Sequence, residues 1–413
     1  MASKIIAVLD IGTSKVACVA AELGPDGSAT ITGAGRAPIE GCLREGVLLD
    51  VEGVSGAVEK AVREAEILLS SDIQRVYLSV SGAHVRGFSG SGTVTVGKPD
   101  EFDSREISPE DVRRAEEAAR AVGLPPGCRV LDVVKRGYSV DGFDRLSRPP
   151  LRLRAEQLTA SVYTIIADRT AVFNLEAAVD GAGLEVAGIF PSALASAYSV
   201  LTPDEIEMGV AVADIGAGTT DVAVFKSGTP AHVGVVPLGG NDITSDLQSL
   251  RIPWEQAERI KQSWAVASTG LVDPNQSMKV MKLGGRGTFT LSHPIVSQMV
   301  NQRVEEIFEG VSAELSKSGI DPVELPAGLV LTGGTSRLPG IPEVAGRITG
   351  LPAELGVPVG MATSTEMILA PEFATGVGLL VMACTGPASG TGQRSSRLGD
   401  LMRKIGGVFS RLR

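Results

Sequence analysis

The 413-residue sequence is poor in the residues that carry disulfide and metal chemistry. Its four cysteines, Cys18, Cys42, Cys128 and Cys384, lie far apart, and no CxxC pair occurs. Neither a zinc ribbon nor a disulfide framework is built that way, and a reducing cytoplasm suits the pattern. The three histidines, His84, His232 and His293, fall at no metal-ligand spacing. No uninterrupted apolar stretch is long enough to span a membrane, and the run Ile5–Leu9 is too short for the core of a signal peptide. Two nucleotide fingerprints are also missing. Without GxxxxGK[ST] a P-loop is excluded, and without strand–GxGxxG–helix a dinucleotide fold has no support. Positive charge is short overall: 38 Lys and Arg stand against 48 Asp and Glu, a net charge of −10. Nucleic acid is therefore not an expected partner.

What is present is ordinary for a globular chain, with 43% apolar and 21% charged residues. At about 150 residues per domain, two or three domains are expected. The charge is unevenly spread. Arg394, Arg397, Arg403, Lys404, Arg411 and Arg413 face a single acid, Asp400, so the end of the chain is strongly basic and the remainder more acidic than the average.

Strand and helix signals alternate from the start. Ile5–Leu9 reads as a buried strand and Val16–Ala21 as its hairpin partner; Val54–Leu69 has helical spacing, and Val76–Val80 returns to strand. From His84 to Ile166 the texture becomes richer in glycine and charge, as in a small inserted α+β subdomain. Its helix, Ser108–Val122, opens on Ser-Pro-Glu-Asp, a cap, a first-turn proline and two acids at the positive helix end. Thr93–Val96, Arg129–Val134 and Leu158–Ile166 read as its strands, and Asp141–Arg154 as a loop. Helices are expected at Thr170–Gly181, Ser192–Leu201, Pro294–Lys317 and Ala370–Ala383, with strands at Glu185–Ile189, Val210–Ala213, Val222–Phe225 and Leu329–Leu331.

The informative feature is an internal repeat. Asp10-Ile11-Gly12-Thr13-Ser14-Lys15 and Asp214-Ile215-Gly216-Ala217-Gly218-Thr219-Thr220-Asp221 each follow an apolar strand and lead into another. Glycines let backbone N–H groups approach phosphate oxygens. Thr13, Ser14, Thr219 and Thr220 add hydroxyls, and Lys15 adds a point charge. Asp10 and Asp214 could hold Mg2+ through water, because that ion keeps much of its hydration. A third glycine element, Leu331-Thr332-Gly333-Gly334-Thr335-Ser336, follows a strand and could pass close to a purine and ribose.

These pieces, with the alanine-rich helices PSALASAY (191–198) and FATGVGLLVMA (373–383), resemble the superfamily of actin, sugar kinases and heat-shock chaperone ATPases. Within it the chain resembles the FtsA family of bacterial cell-division proteins along nearly its whole length. The resemblance implies an α/β fold, a duplicated actin-like ATPase with two lobes around a nucleotide cleft and an inserted small subdomain. The implied division is 1–83 with 167–205 and 371–384 as first lobe, 84–166 as insertion, 206–247 with 319–370 as second-lobe core, and 248–318 as its outer part. ATP and Mg2+ are the implied cofactors. Besides the two hairpins, Gly239 and Gly240 match a glycine turn near the nucleotide, Glu258 and Lys261 a helix that contacts ribose and base, and Gly333, Gly334 and Ser336 the adenosine loop. An exposed helix pair is the alternative for Glu258 and Lys261. One departure matters: relatives carry Glu or Gln near Pro191 to orient the attacking water, and here Phe190 stands before it. Phenylalanine accepts no proton, so tight ATP binding with slow or negligible hydrolysis is expected.

The segment 385–396 lacks large apolar residues and reads as a flexible linker. Beyond it Leu398, Leu401, Met402, Ile405, Val408, Phe409 and Leu412 recur at helical spacing, with Arg403, Lys404 and Arg411 off or beside the stripe. A basic amphipathic helix of this kind reads as an anchor on an anionic membrane surface. The FtsA resemblance further implies binding to the C-terminal tail of the division polymer FtsZ, with Arg303 as candidate contact for an acidic peptide; self-association; contact with later division proteins; and a place on the cytoplasmic face of the membrane at the division site. A solvated Arg303 paired with Glu306 is the alternative for that residue.

Overall fold

Both apolar runs that end in Asp-Ile-Gly form the buried centre of a sheet. A computed structural model describes residues 4–25, 28–96, 105–121, 123–363 and 365–385. The linker and amphipathic helix read at 385–413 fall, beyond residue 385, outside the described residues.

The chain opens with strands β1 (Lys4–Ile11), β2 (Lys15–Leu23) and β3 (Ala29–Pro38), the short pair β4 (Leu43–Arg44) and β5 (Val47–Leu48), helix α1 (Val51–Leu69) and strand β6 (Arg75–Val80). There follow β7 (Arg86–Thr95), β8 (Arg105–Glu106), α2 (Pro109–Arg120), β9 (Cys128–Val140), β10 (Phe143–Leu146), β11 (Arg154–Ala155) and β12 (Gln157–Asp168). Then come α3 (Arg169–Gly181), β13 (Glu185–Pro191), α4 (Ser192–Val200) and α5 (Pro203–Met208). The later part contains β14 (Val210–Ile215), β15 (Thr220–Lys226), β16 (Thr229–Val236), α6 (Gly240–Gln248), α7 (Trp254–Ser263), β17 (Ser277–Met281), β18 (Thr288–Ser292) and α8 (His293–Lys317). It closes with β19 (Leu329–Thr332), α9 (Ile341–Thr349), β20 (Ala353–Leu355), β21 (Ala362–Thr363) and α10 (Ala374–Thr385).

The repeat seen in sequence extends to whole sheets. The first sheet runs β3-β2-β1-β6-β13, with β21 on its β3 edge, and the second runs β16-β15-β14-β19-β20. In each, the first three strands in chain order are antiparallel neighbours, and the next two join in parallel. Two core strands escape the sequence reading, β3 and β16. Gly33 and Gly35 weaken the strand signal of β3, and the fold requires them: a Cβ on Gly35 would lie 2.1 Å from the carbonyl oxygen of Ala61 in α1. Helix α1 rests on that strand through Val54, Ala57, Val58, Ala61, Val62, Ala65 and Leu69, all buried on one side.

The layers share their cores. One cluster joins the first sheet to α1, α3, α4 and α10 and takes in Val210, Val212, Ala223, Phe225, Val233 and Val235 of the second sheet. The other face of that sheet packs on α6 to α9. All nine residues of α4 are buried. It crosses α10 so closely that a Cβ on Gly378 would stand 1.6 Å from the oxygen of Ala195.

The segment from β7 to β12 has a small core of its own around Ile107, Val112, Ala115, Leu158 and Val162. Ser108 caps α2 as expected, in a reciprocal box with Asp111. The expected loop at Asp141–Arg154 is corrected. It contains β10, which pairs with β9, and ends in the bridge of Arg154 to Glu106. A turn at Asp141 and Gly142, both at positive φ, folds β10 back on β9. The hairpin of β17 and β18 was also not read from sequence.

Candidate functional site

The two Asp-Ile-Gly hairpins have the same local construction. Gly12 N–H donates to the Lys15 carbonyl at 3.0 Å, and Gly216 N–H to the Thr219 carbonyl at 2.9 Å. Asp10 pairs across its hairpin with Ala17, and Asp214 with Asp221. The hairpins approach each other: a Cβ on Gly218 would stand 2.5 Å from the Thr13 hydroxyl. Between the lobes lies a cleft of about 1190 Å³. From the first hairpin Asp10, Gly12, Thr13, Ser14 and Lys15 line it, and from the second Asp214, Gly216, Gly218 and Thr219. Gly333, Gly334, Glu258 and Lys261 complete the candidate residues on its walls.

Four candidates stand behind these walls. Thr220 is fully buried and donates to the Leu238 carbonyl at 2.9 Å. Ser336, also buried, donates to the Gly333 carbonyl at 2.7 Å and closes the turn. Gly239 caps α6, and Gly240 N–H donates to the Gly216 carbonyl at 3.0 Å. That bond ties the start of α6 to the second hairpin, and side chains at 239 and 240 would collide with Ala217 and Thr335. Gly333 needs its freedom twice over, with φ +85° and only 2.3 Å from its notional Cβ to Asp214 Oδ1.

The cleft is an electrostatic conflict. Ser79 donates to Asp10 at 2.7 Å, yet burial still raises the Asp10 carboxyl above its ordinary value. Burial pushes Asp214 up to about 6; the Thr375 hydroxyl, donating at 2.9 Å, opposes this and the Asp10 charge adds to it. Lys15 is the nearby cation. Burial lowers its ammonium, and Nζ donates to the Glu372 carbonyl at 2.8 Å while sitting 4.6 Å from the centre of the Phe373 ring.

On the far wall Lys261 is buried and donates to the Gly240 carbonyl at 2.9 Å, with Glu258 at 2.8 Å. Burial lowers Lys261. It would raise Glu258, but the Lys261 charge and the Thr244 hydroxyl outweigh that and hold the carboxylate below its ordinary value. The pair belongs to the cleft wall, so the exposed helix pair is not what the fold builds.

A residue missed in sequence joins them. Asp221 lines the cleft, buried and raised well above the usual carboxylate range by burial and by Asp214. Ser81 of the opposite lobe donates to it at 2.7–2.8 Å. The signal was there: Asp221 ends the motif that Asp214 begins, and hairpin pairing sets the two side by side. Phe190, by contrast, turns into the core and stacks on Tyr77 at 5.8 Å.

Arg303 lies away from the cleft, on α8. Its guanidinium forks onto Asp246 of α6 at 2.7 and 2.9 Å and reaches Glu306 at 2.6 Å. The membrane candidates Leu398, Leu401, Met402, Arg403, Lys404, Ile405, Val408, Phe409, Arg411 and Leu412 lie outside the described residues. Among the described residues no helix is long and apolar enough to cross a membrane.

Comparison with known proteins accounts for the second sheet and for the insertion. Residues 211–378 match the family model "Cell division protein FtsA", and residues 82–166 match "SHS2 domain inserted in FTSA". The cell division protein FtsA of Pseudomonas aeruginosa is 38% identical over 92% of this chain and 89% of its own length. That of Neisseria meningitidis is 37% identical over 92% and 90%, and that of Escherichia coli 33% over 91% and 90%. Among solved structures, a PilM-PilN type IV pilus biogenesis complex aligns with a TM-score of 0.62 at 20% identity, covering 92% of this chain and 99% of that one. MreB5 of Spiroplasma citri bound to ADP aligns at 0.53 and 14% identity, covering 92% and 96%. At such identities the likeness speaks for the fold alone, a duplicated actin-like ATPase fold. Sequence identity along nine-tenths of the chain decides the rest: this chain belongs to the FtsA family of actin-like bacterial cell-division proteins.

Proposed function

We propose that this chain binds ATP between its lobes, self-assembles, and tethers the FtsZ ring to the cytoplasmic face of the membrane at the division site. The observation that carries the reading is the pair of mirrored aspartate hairpins facing one cleft. The hairpin-turn amides of Thr13, Ser14, Ala217 and Gly218 suit phosphate oxygens, those of Gly12 and Gly216 being used within the hairpins, and Lys15 lies close enough to exchange the Glu372 carbonyl for one. Three carboxyls crowd this end, Asp10, Asp214 and Asp221, and each ionises at a cost set chiefly by burial. Hydrated Mg2+ arriving with the polyphosphate would relieve it, held through water by Asp10 and Asp214. The wall of Glu258, Lys261, Gly333 and Gly334, backed by Gly240, would take the ribose and base.

In this reading the segments keep the division proposed from sequence, with 84–166 as the insertion used in self-association and recruitment of later division proteins. Segment 385–396 is then the linker, and 397–413 the helix that lies in the membrane surface. Hydrolysis is slow, because Phe190 offers no water-orienting group and both oxygens of the Asp221 carboxyl already accept from the Ser81 hydroxyl. Arg303 contacts the FtsZ tail by exchanging Asp246 for a peptide carboxylate.

A pilus-type assembly protein shares this fold, but the relatives that align along nine-tenths of the chain at 33–38% identity are FtsA proteins. The deciding experiment is recruitment of FtsZ polymer to anionic vesicles with and without ATP. The intact chain should recruit it only with ATP, and a chain ending at Gly390 should not recruit it at all. Equal recruitment by both would overturn the tether.

A further inference from the structure

The inserted segment is rooted in the first lobe, yet it also grips the second. Strand β16 is the edge of the second sheet, so its outer amide and carbonyl groups have no neighbouring strand of that sheet. The insertion takes them. Arg136 Nε donates to the Pro230 carbonyl at 3.1 Å, and its second terminal nitrogen donates to the Ala231 carbonyl. The Val233 N–H donates to the Tyr163 phenol oxygen at 2.9 Å.

Several local features serve this grip. On β12, Ser161 pairs with Gly137 and Val162 with Lys135, so Arg136 is the extra residue of a β-bulge. A bulge re-aims the side chain it carries. The guanidinium then lies 4.6 Å from the centre of the Tyr163 ring and donates to Ser89 of β7 at 2.9 Å. Gly87 leaves room for that ring, since a Cβ there would stand 2.2 Å from the phenol oxygen. Arg136 does not line the cleft. The insertion begins just after Ser81, whose hydroxyl crosses to Asp221 of the second hairpin.

We propose that the inserted subdomain is a strap between the lobes: Arg136 and Tyr163 pin it to β16, so that movement of the lobes about the cleft is passed to its outer sheet edge. That edge is β10, where Phe143 is 81% exposed. The proposal rests on the nucleotide reading above, because nucleotide is what biases the lobes. Thermodynamic reciprocity then makes the outer edge and the cleft sense each other.

The test is hydrogen–deuterium exchange on the full chain, with and without ATP and Mg2+, for the unaltered protein, Arg136→Ala and Tyr163→Phe. Nucleotide should slow exchange at 10–15 and 214–221 in all three. In the unaltered protein it should also change exchange across 128–146, and in Arg136→Ala that distant change should be lost. Tyr163→Phe keeps the ring under the guanidinium and removes only the acceptor for Val233, so it should weaken the distant change even if Arg136→Ala disturbs the insertion. An equal response at 128–146 in all three proteins overturns the strap, as does no response there in the unaltered protein despite a protected cleft. No protection at the hairpins overturns the nucleotide reading itself, and the strap with it.

Discussion

Asp214 shows what the cleft costs at the scale of one residue. Its carboxyl is near 3.8 when unfolded and about 6 in the fold, chiefly through burial. Between those values the native state holds the proton more tightly than the unfolded chain. This group's contribution therefore declines as pH rises from about 4 to 6, and stays low above that. In nucleotide-free protein, Asp214→Asn should raise stability at pH 7 by on the order of 1–3 kcal/mol, and the gain should shrink toward pH 4. Thermal melts across that range check the sign, and isothermal calorimetry should show loss of Mg-ATP binding by the same variant. Stability gained where binding is lost marks a site strained for its ligand. Asp10 and Asp214 were legible from the Asp-Ile-Gly repeat. The Asp221 role was not, because only hairpin pairing and the crossing Ser81 hydroxyl bring it to the cleft.

At the scale of elements, periodicity found α1 to α4, α8 and α10, whose buried faces are continuous, as along α1, and did not mark the short α5, α6 and α9. It failed at β3 and β16, where glycine or proline lowers strand propensity and the neighbouring layer supplies the reason for it. Glycines separate the two cases. Gly56 in α1 has no atom within 4 Å of a notional Cβ, so Gly56→Ala should stabilise by about 0.5–1 kcal/mol. Gly378→Ala drives a methyl into the Ala195 carbonyl of α4 and should destabilise by roughly 1–3 kcal/mol. Urea denaturation of both variants makes the comparison. Ser108→Ala removes one side of the capping box of α2 and should cost about 1 kcal/mol by the same measurement.

At the scale of the molecule, the cleft exists only because two copies of one sheet plan face each other across α4 and α10. The proposed contact with the FtsZ tail is also a whole-molecule matter. Asp246 already occupies Arg303, so the two variants should part in opposite directions. Arg303→Glu should weaken binding of an FtsZ-tail peptide. Asp246→Ala should free the guanidinium and tighten binding, as read by fluorescence anisotropy. If Arg303 serves only to join α6 to α8, neither variant will change peptide affinity.

The sequence by itself determined the duplication, the hairpin glycines and the cap of α2. Each is a local pattern that the backbone or a helix face obeys without help. Only the tertiary structure decided that Asp221 and Ser81 meet across the lobes, that Lys261 is buried beside Glu258, and that a bulge turns Arg136 onto β16. Those contacts join residues far apart in the chain, and register and packing, which no local pattern encodes, set which of them touch.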